Sequence, residues 1–261
     1  MPHLFRLRED NCFFGSLKAS VAVKYNHGFT ANPQGIYFTT SRRRVSPSSV
    51  LIEKISEFNP GQQILLSKNE LLIGSLRFEP SENIKLFKHS GYINKNILKT
   101  NNKKIENCLM LFGKDSLITE LFFNPHRKHN KLSTNIDQIC KKARNLTHTQ
   151  QFCGYGTGLT PSFDDFISGM LLTDRYYNRN KILLTASYLK TLYKKTTQVS
   201  CQQIMFCNMG VLNTAFEQFL YKICQTEIKS HEILKLLNFG HTSGTDILCG
   251  ISAYLKYFRL V

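Results

Sequence analysis

The C-terminal half of the chain is best understood from one stretch, Cys153-Gly-Tyr-Gly-Thr-Gly-Leu-Thr-Pro-Ser-Phe-Asp-Asp-Phe-Ile-Ser-Gly169. Its three alternating glycines allow backbone conformations closed to other residues, and they let backbone N–H groups come close to a ligand. Thr160-Pro161 then predicts a helix start, with threonine as the cap and proline in the first position. A glycine loop that leads into a helix N-terminus favours the binding of an anion, because the free N–H groups of the helix point back at the loop and the helix dipole is positive at that end.

A second stretch, Gly240-His-Thr-Ser-Gly-Thr-Asp-Ile-Leu-Cys-Gly250, repeats this plan. The two stretches share the pattern S-x-x-D-x-x-x-G, in which Ser162, Asp165 and Gly169 align with Ser243, Asp246 and Gly250. A serine with an acid three residues later resembles a capping box. The glycine four residues after the aspartate lies on the same helix face and permits close helix contact. We infer two similar loop–helix units, which such a contact would bring face to face.

Three aspartates in these units and one histidine are the candidate catalytic residues: Asp164, Asp165, Asp246 and His241. The acids have three alternative roles, which are to cap a helix, to bind a divalent cation, or to hold an amide or amine group of a substrate. Carboxylates beside an anion site are otherwise repulsive, so Mg²⁺ is the one cofactor that the pattern suggests. No metal-ligand set is assigned, because the eight cysteines form no C-x-x-C and match no familiar zinc spacing.

The candidate substrate-binding residues are the loop glycines and the hydroxyl groups around them. They are Gly154, Gly156, Gly158, Thr160, Ser162, Thr196, Thr197, Thr242, Ser243 and Gly244. Thr196 and Thr197 belong to a cluster that ends at Ser200, before an apolar segment. A helix cap is the alternative reading of that cluster.

The charge of the chain points first to an anionic partner, since 34 Lys and Arg against 18 Asp and Glu give a formal charge of +16. Residues 1–150 hold 23 of the basic and 11 of the acidic side chains, so most of the excess lies outside the two loops. A solvated lysine-rich surface is the simpler alternative. The sequence lacks an interleaved aromatic–basic motif, so nucleic acid is a weaker candidate than a small anion or an acidic protein.

The sequence predicts an α+β protein with two domains. Residues 1–90 read as short strands separated by turns, typical of a small β-rich barrel or sandwich. Residues 91–261 read as a mostly α-helical domain that carries both loop–helix units. Helices are predicted at 115–123, 133–145, 160–177, 181–193, 211–223, 231–238 and 243–258. No apolar run approaches the ~20 residues of a membrane span, and the cysteines lie mostly in apolar stretches, so we expect a cytoplasmic protein with buried thiols.

The motif Gly156-Thr-Gly-Leu-Thr-Pro-Ser-Phe-Asp-Asp-Phe-Ile-Ser-Gly169 resembles the signature of a bacterial family that includes the AllH subunit of oxamate carbamoyltransferase. The Thr196 cluster and the Gly240 stretch are similar to later motifs of that family. The chain departs from the signature at Thr157, where proline is usual, and at Phe163, where glycine is usual.

This resemblance implies a function in allantoin and purine breakdown. A subunit of this kind works with two others, one of them FdrA-like, to exchange carbamoyl between oxalurate and phosphate, which gives oxamate and carbamoyl phosphate. The implied ligand is therefore a small anion such as carbamoyl phosphate, phosphate or oxamate. The alternatives are a non-catalytic scaffold subunit of the same assembly and a basic nucleic-acid-binding protein.

Overall fold

The computed structural model describes residues 3–6, 17–25, 28–32, 36–39, 49–52, 59, 61–67, 70–80, 92–123 and 136–258. The chain divides into two compact units, and each is described by itself. One comprises Met1–Phe87 with Leu212–Glu217, and the other comprises Lys88–Val211 with Gln218–Val261. The division into domains at residues 90 and 91 stays a prediction.

The first unit contains a closed β-barrel, which confirms the α+β class and selects the barrel from the two predicted architectures. Its eight strands are β1 (His3–Arg6), β2 (Leu17–Tyr25), β3 (Gly28–Asn32), β4 (Ile36–Thr39), β5 (Ser49–Ile52), β6 (Gln63–Leu66), β7 (Leu71–Ile73) and β8 (Leu76–Pro80). They follow the order β1-β5-β4-β3-β2-β6-β7-β8 around the barrel. β1–β8 and β4–β5 are parallel, and the other neighbours are antiparallel.

Alternation of side chains builds the barrel interior where the structure describes them. In β6 and β7, Ile64, Leu66, Leu71 and Ile73 are buried at every second position, as a strand with one face on a core requires. Residues 71–80 form two strands, because the chain turns at Gly74 with φ of +58°. The turn leaves β7 and β8 as an antiparallel hairpin.

The second unit is helical. The helices of the chain are α1 (Lys95–Phe112), α2 (Leu117–Phe123), α3 (Ile136–Lys142), a 3₁₀-helix (Leu146–Phe152), α4 (Ser162–Tyr176), α5 (Ala186–Lys195), α6 (Gln198–Asn208), α7 (Thr214–Ile223), α8 (Ser230–Leu237) and α9 (Ser243–Tyr257). The boundary between the two compact units falls within α7, and the other helices belong to the second unit. The helices predicted from periodicity are present with ends that differ by a few residues. In the described part of the chain, all seven cysteines are buried and none forms a disulfide, as predicted for thiols.

Two helices were not predicted. α1 is rich in Lys and Asn, which weakens its helical signature, yet it buries Leu98, Ile105 and Leu109 along one face. Asn101 lies on the same face and donates to the carbonyls of Ile223 and Thr226, both at 2.8 Å. A buried asparagine therefore completes a face that hydrophobic periodicity alone would miss. α6 is the second, and its start is the Thr197 cap discussed below.

α4 and α9 cross at their two glycines. A Cβ on Gly169 would lie 2.1 Å from the carbonyl oxygen of Ile247, and a Cβ on Gly250 would lie 2.1 Å from that of Phe166. These contacts are reciprocal in the alignment of the two loop–helix units, because Phe166 in α4 aligns with Ile247 in α9. Any side chain larger than hydrogen would force the two helix backbones apart. The predicted close contact between the two loop–helix units is therefore confirmed.

Candidate functional site

The reciprocal crossing of α4 and α9 brings the two aligned Ser–Asp pairs together. The Ser243 hydroxyl lies near Asp165, and the Ser162 hydroxyl lies near Asp246, so each serine is beside the aspartate of the other helix. Neither hydroxyl forms a hydrogen bond to the Oδ2 atom of that aspartate. Neither helix has a side-chain hydrogen bond at its N-cap. The capping-box interpretation is therefore wrong, because these serines are turned toward the opposite helix. In both helices, the serine of the S-x-x-D pattern therefore lies beside the aspartate of the other helix.

Asp165 is a buried carboxyl with one satisfied oxygen. Its Oδ1 accepts a hydrogen bond from Gln203 Nε2 at 2.6 Å. Its Oδ2 is fully buried and has no hydrogen-bond partner among the described residues. Burial raises the pKa of Asp165 to about 7, against the effect of Gln203, while the nearby Asp246 raises it further. Because this pKa is near neutrality, the carboxyl can carry or release a proton at physiological pH.

Asp246 has the same arrangement on the other helix. Its Oδ1 accepts from the hydroxyl of Ser116, which lies just before α2. Its Oδ2 is buried and has no partner among the described residues. Burial raises the pKa of Asp246 to about 6, although the hydroxyls of Ser116, Ser162 and Thr242 favour the charged form. The charge of Asp246 is one of the causes that raise the pKa of Asp165.

We call Asp165 and Asp246 the aspartate pair. Several hydroxyl side chains lie near it. The hydroxyls of Thr160 and Ser243 lie 2.8 Å apart and join the two loops. Unpartnered buried oxygens cost free energy unless they serve a ligand or share a proton. Two such oxygens on one pair of crossing helices make the aspartate pair the candidate functional site.

Asp164 has a different environment from its neighbour. Its Oδ1 accepts from the backbone N–H of Gly154 at 3.0 Å, and its Oδ2 accepts from the hydroxyls of Thr196 and Ser200, the latter at 2.7 Å. Burial nevertheless raises its pKa above the usual range. With three donors on two oxygens, Asp164 ties the glycine loop to the start of α6. The geometry fits an anchor rather than a group that contacts a ligand.

The glycine loop covers the N-terminus of α4. Gly156 has a φ of +121°, and a Cβ there would lie 2.3 Å from the backbone nitrogen of Ser162. The N–H of Phe163 donates to the carbonyl of Tyr155 at 3.0 Å, so the loop itself satisfies part of the helix end. In the described structure, the N–H groups of residues 156–159 have no hydrogen-bond acceptor. These exposed N–H groups, rather than the helix end, are available to an anion.

The predicted start of α4 also needs a correction. The N-cap is Pro161, not Thr160, and the helix begins at Ser162. The Thr160 hydroxyl is therefore free to bind Ser243.

The remaining predicted site residues divide into structural and exposed ones. Thr197 caps α6 by accepting from the N–H of Ser200 at 3.1 Å, and its hydroxyl also donates to Leu159 in the glycine loop. Gly244 lies in the packing of α9 on α8, where a Cβ would be 1.9 Å from the carbonyl oxygen of Leu236. His241 is exposed in the turn before α9 and makes no hydrogen bond within the described residues. Gly158 is also exposed.

Sequence reasoning missed Gln203 and Ser116, the two side chains that bind the aspartates directly. Gln203 also donates to Ser168, at 3.1 Å, which fixes the orientation of its amide. No sequence signal would have identified Gln203, because nothing in the spacing of α6 distinguishes it from the other two glutamines of that helix. The segment Ser116-Leu-Ile-Thr119 is a helix-start pattern, so Ser116 could have been found as a cap but not as a partner of Asp246.

The residue types around the aspartate pair are two carboxylates and several hydroxyls. Such oxygen ligands are compatible with Mg²⁺. However, no group of three or more His, Cys, Asp and Glu side chains that could hold a metal occurs in the described part of the chain. The structure therefore does not assign a metal ion to this site.

Comparison with known proteins supports the resemblance found in the sequence. Residues 152–255 match the family model described as oxamate carbamoyltransferase subunit AllH. The matched segment begins at the glycine loop and includes both aspartates of the pair. No solved structure matches the chain. Within the residues that the structure describes, no helix has the length and apolar character that crossing a bilayer requires.

Proposed function

We propose that this chain is a subunit of a carbamoyltransferase and that its helical unit carries a ligand site formed by the glycine loop and the aspartate pair. The observation that carries the proposal is the reciprocal burial of Asp165 and Asp246, each with one oxygen that has no partner among the described residues. The family-model match over residues 152–255 supports the class of reaction.

In this proposal the exposed N–H groups of residues 156–159 bind the anionic part of a small ligand such as phosphate, carbamoyl phosphate or oxamate. Backbone donors on a glycine loop suit phosphate and carboxylate oxygens. They also stabilise charge that develops on the transferring group in the transition state. Asp164, Thr196 and Thr197 then act indirectly, because they hold the loop in place through hydrogen bonds to Gly154 and Leu159.

The aspartate pair supplies acid–base chemistry to the same ligand. When carbamoyl passes from oxalurate to phosphate, a phosphate oxygen attacks the carbamoyl carbon and the bond to the oxamate nitrogen breaks. The departing nitrogen must take up a proton. Burial raises the pKa of Asp165 to about 7, so its carboxyl is protonated often enough near neutral pH to donate. The unpartnered oxygen of the second carboxyl can accept an N–H of the carbamoyl group.

We expect the partner subunits of this chain to be FdrA-like. A basic surface would draw acidic subunits or small anions toward the chain.

The test is a carbamoyl-transfer assay on the assembly reconstituted with its partner subunits, in which formation of carbamoyl phosphate from oxalurate and phosphate is measured. Asp165→Asn and Asp246→Asn keep the size of each side chain and remove its proton chemistry. We expect each to lower kcat at least ~100-fold, the lower end of what general acid–base catalysis contributes. Glu232→Gln, in α8, is the matched control and should leave the rate unchanged.

Retention of the wild-type rate by both aspartate variants, in an assembly that still forms, would contradict the proposal. That result would instead support a non-catalytic scaffold role for the chain.

A further inference from the structure

A cavity of about 590 Å³ opens between the end of α1 and the start of α2. Its lining combines apolar side chains, such as Leu109 and Phe123, with the polar side chains Asp115, Ser116 and Thr119. All of these residues precede the segment that matches the family model. The cavity is therefore a feature that neither the loop motifs nor the comparison assigns.

Ser116 connects this cavity to the aspartate pair. Its side chain lines the cavity, and its hydroxyl donates to Oδ1 of Asp246. Two bonds to Thr119 fix the serine in place. The Ser116 N–H donates to the Thr119 hydroxyl at 2.9 Å, and Ser116 Oγ accepts from the Thr119 N–H at 3.1 Å. When Asp246 is charged, the Ser116 hydrogen points at its Oδ1, while Oγ accepts from the Thr119 N–H. When Asp246 is neutral, Oγ can accept the carboxyl proton and its own hydrogen can point into the cavity.

We propose that Ser116 is a positioning residue for Asp246, and that the cavity it lines is the opening through which the buried aspartate pair exchanges protons with solvent. In the exchange, neutral Asp246 passes its proton to Ser116 Oγ while Ser116 passes its own hydroxyl proton to a water in the cavity. The reverse transfer reprotonates the carboxyl, so protons balance and no other bond changes. Asp246 itself has no exposed surface, so it needs a relay of this kind.

Other titratable groups near Asp246 do not supply this route. Asp165 faces it from α4 and is equally buried, and Cys249 on the same helix is a buried thiol whose pKa burial raises well above its usual value. Lys114, Asp115 and Glu120 belong to the segment around the cavity. Ser116 is the one residue in the described structure that both lines the cavity and is hydrogen-bonded to the pair. The inference concerns the site of the proposed function, but its test requires neither ligand nor turnover.

The test follows the carboxyl ¹³C signals of aspartate by NMR in the full chain as pH is varied, with the Asp246 signal identified by its loss in Asp246→Asn. Ser116→Ala removes a hydrogen bond that favours the charged carboxylate, so the midpoint for Asp246 should rise by about one pH unit, a tenfold change in proton affinity. Ser116→Thr keeps a hydroxyl at this position and should restore the wild-type midpoint, which a purely structural loss would not do.

Ser116→Cys tests the opening separately. Methyl methanethiosulfonate should label the new thiol in the native protein, while the buried cysteines of the described chain stay unlabelled in the wild type. An Asp246 midpoint that is the same in wild type and Ser116→Ala would overturn the positioning role. A Ser116→Cys thiol that reacts only after unfolding would overturn the opening. Either result leaves the carbamoyl-transfer assay free to succeed or fail, so the two proposals are tested apart.

Discussion

The aspartate pair should reduce the stability of the folded chain at neutral and alkaline pH, and replacing Asp165 should therefore increase that stability. The folded-state pKa of Asp165 is raised by burial from 3.8 to about 7. The folded protein thus holds this proton more tightly than the unfolded chain does. Between about pH 4 and pH 7, the contribution of Asp165 to the free energy of unfolding falls as pH rises, and above pH 7 the loss is complete.

The size of the effect follows from the shift. Each pKa unit corresponds to about 1.4 kcal/mol, so a shift of about three units corresponds to roughly 4 kcal/mol between low and high pH. Asp165→Asn has no proton to lose, and its amide keeps an oxygen for the bond from Gln203. The variant should therefore be close to wild type near pH 4 and more stable than wild type at pH 8, by up to about 4 kcal/mol. Coupling to Asp246 spreads the change over a wider pH range.

Urea unfolding monitored by circular dichroism at pH 4, 6 and 8, in the presence of a reducing agent, measures this difference. Comparison of the variant with wild type at each pH cancels the titration of the groups that do not interact with Asp165. If Asp165→Asn were less stable than wild type by the same amount at every pH, Asp165 would be an ordinary structural acid. The reasoning about its burial and unpartnered oxygen would then be refuted.

Further predictions test the frame around the site. Gly169→Ala places a Cβ 2.1 Å from a backbone carbonyl of α9 and should cost about 3 kcal/mol of stability. The control Gly158→Ala meets open space and should cost about 1 kcal/mol, from its positive φ alone. Equal losses of stability for the two variants in thermal unfolding would contradict the close crossing of α4 and α9. Asp164→Ala leaves three donors without their acceptor and should cost about 2–4 kcal/mol. Because burial raises the pKa of Asp164, the cost should be larger at low pH than at pH 8, with chemical denaturation as the check. The pKa of Glu232 is lowered by its bond to Lys222, so it stabilises the fold above the unfolded pKa and loses that contribution as pH falls. Glu232→Gln should cost at most about 1 kcal/mol at pH 7 and nearly nothing at pH 3, opposite in direction to Asp165→Asn.

The internal repeat is what the sequence revealed best. Aligned serine, aspartate and glycine residues predicted two units in close contact, and the crossing of α4 and α9 at Gly169 and Gly250 confirms it. The same pattern was misread locally. A serine three residues before an acid is indistinguishable in sequence from a capping box, and only the crossing geometry shows that Ser162 belongs to Asp246.

The parts of the site that sequence could not predict depend on contacts between segments far apart in the chain. Ser116 reaches Asp246 across 130 residues of sequence, and Gln203 reaches Asp165 across 38. Neither has a local pattern that points to an aspartate. The sequence also does not predict that the adjacent Asp164 and Asp165 have different environments. They differ because successive residues of a helix face directions about 100° apart, which aims one at the glycine loop and the other at α9.

The most direct test of the central claim is the affinity of the helical unit's site for oxamate, measured by calorimetry at pH 5.5 and pH 8 with the chain alone and with its partner subunits. Oxamate keeps one negative charge over this range, so any pH dependence comes from the protein. If the glycine loop binds the anion beside the aspartate pair, binding should be tighter at pH 5.5, should be accompanied by proton uptake, and should lose most of this pH dependence in Asp165→Asn. Absence of binding under all these conditions, or an affinity that is the same at both pH values in wild type, would contradict the account.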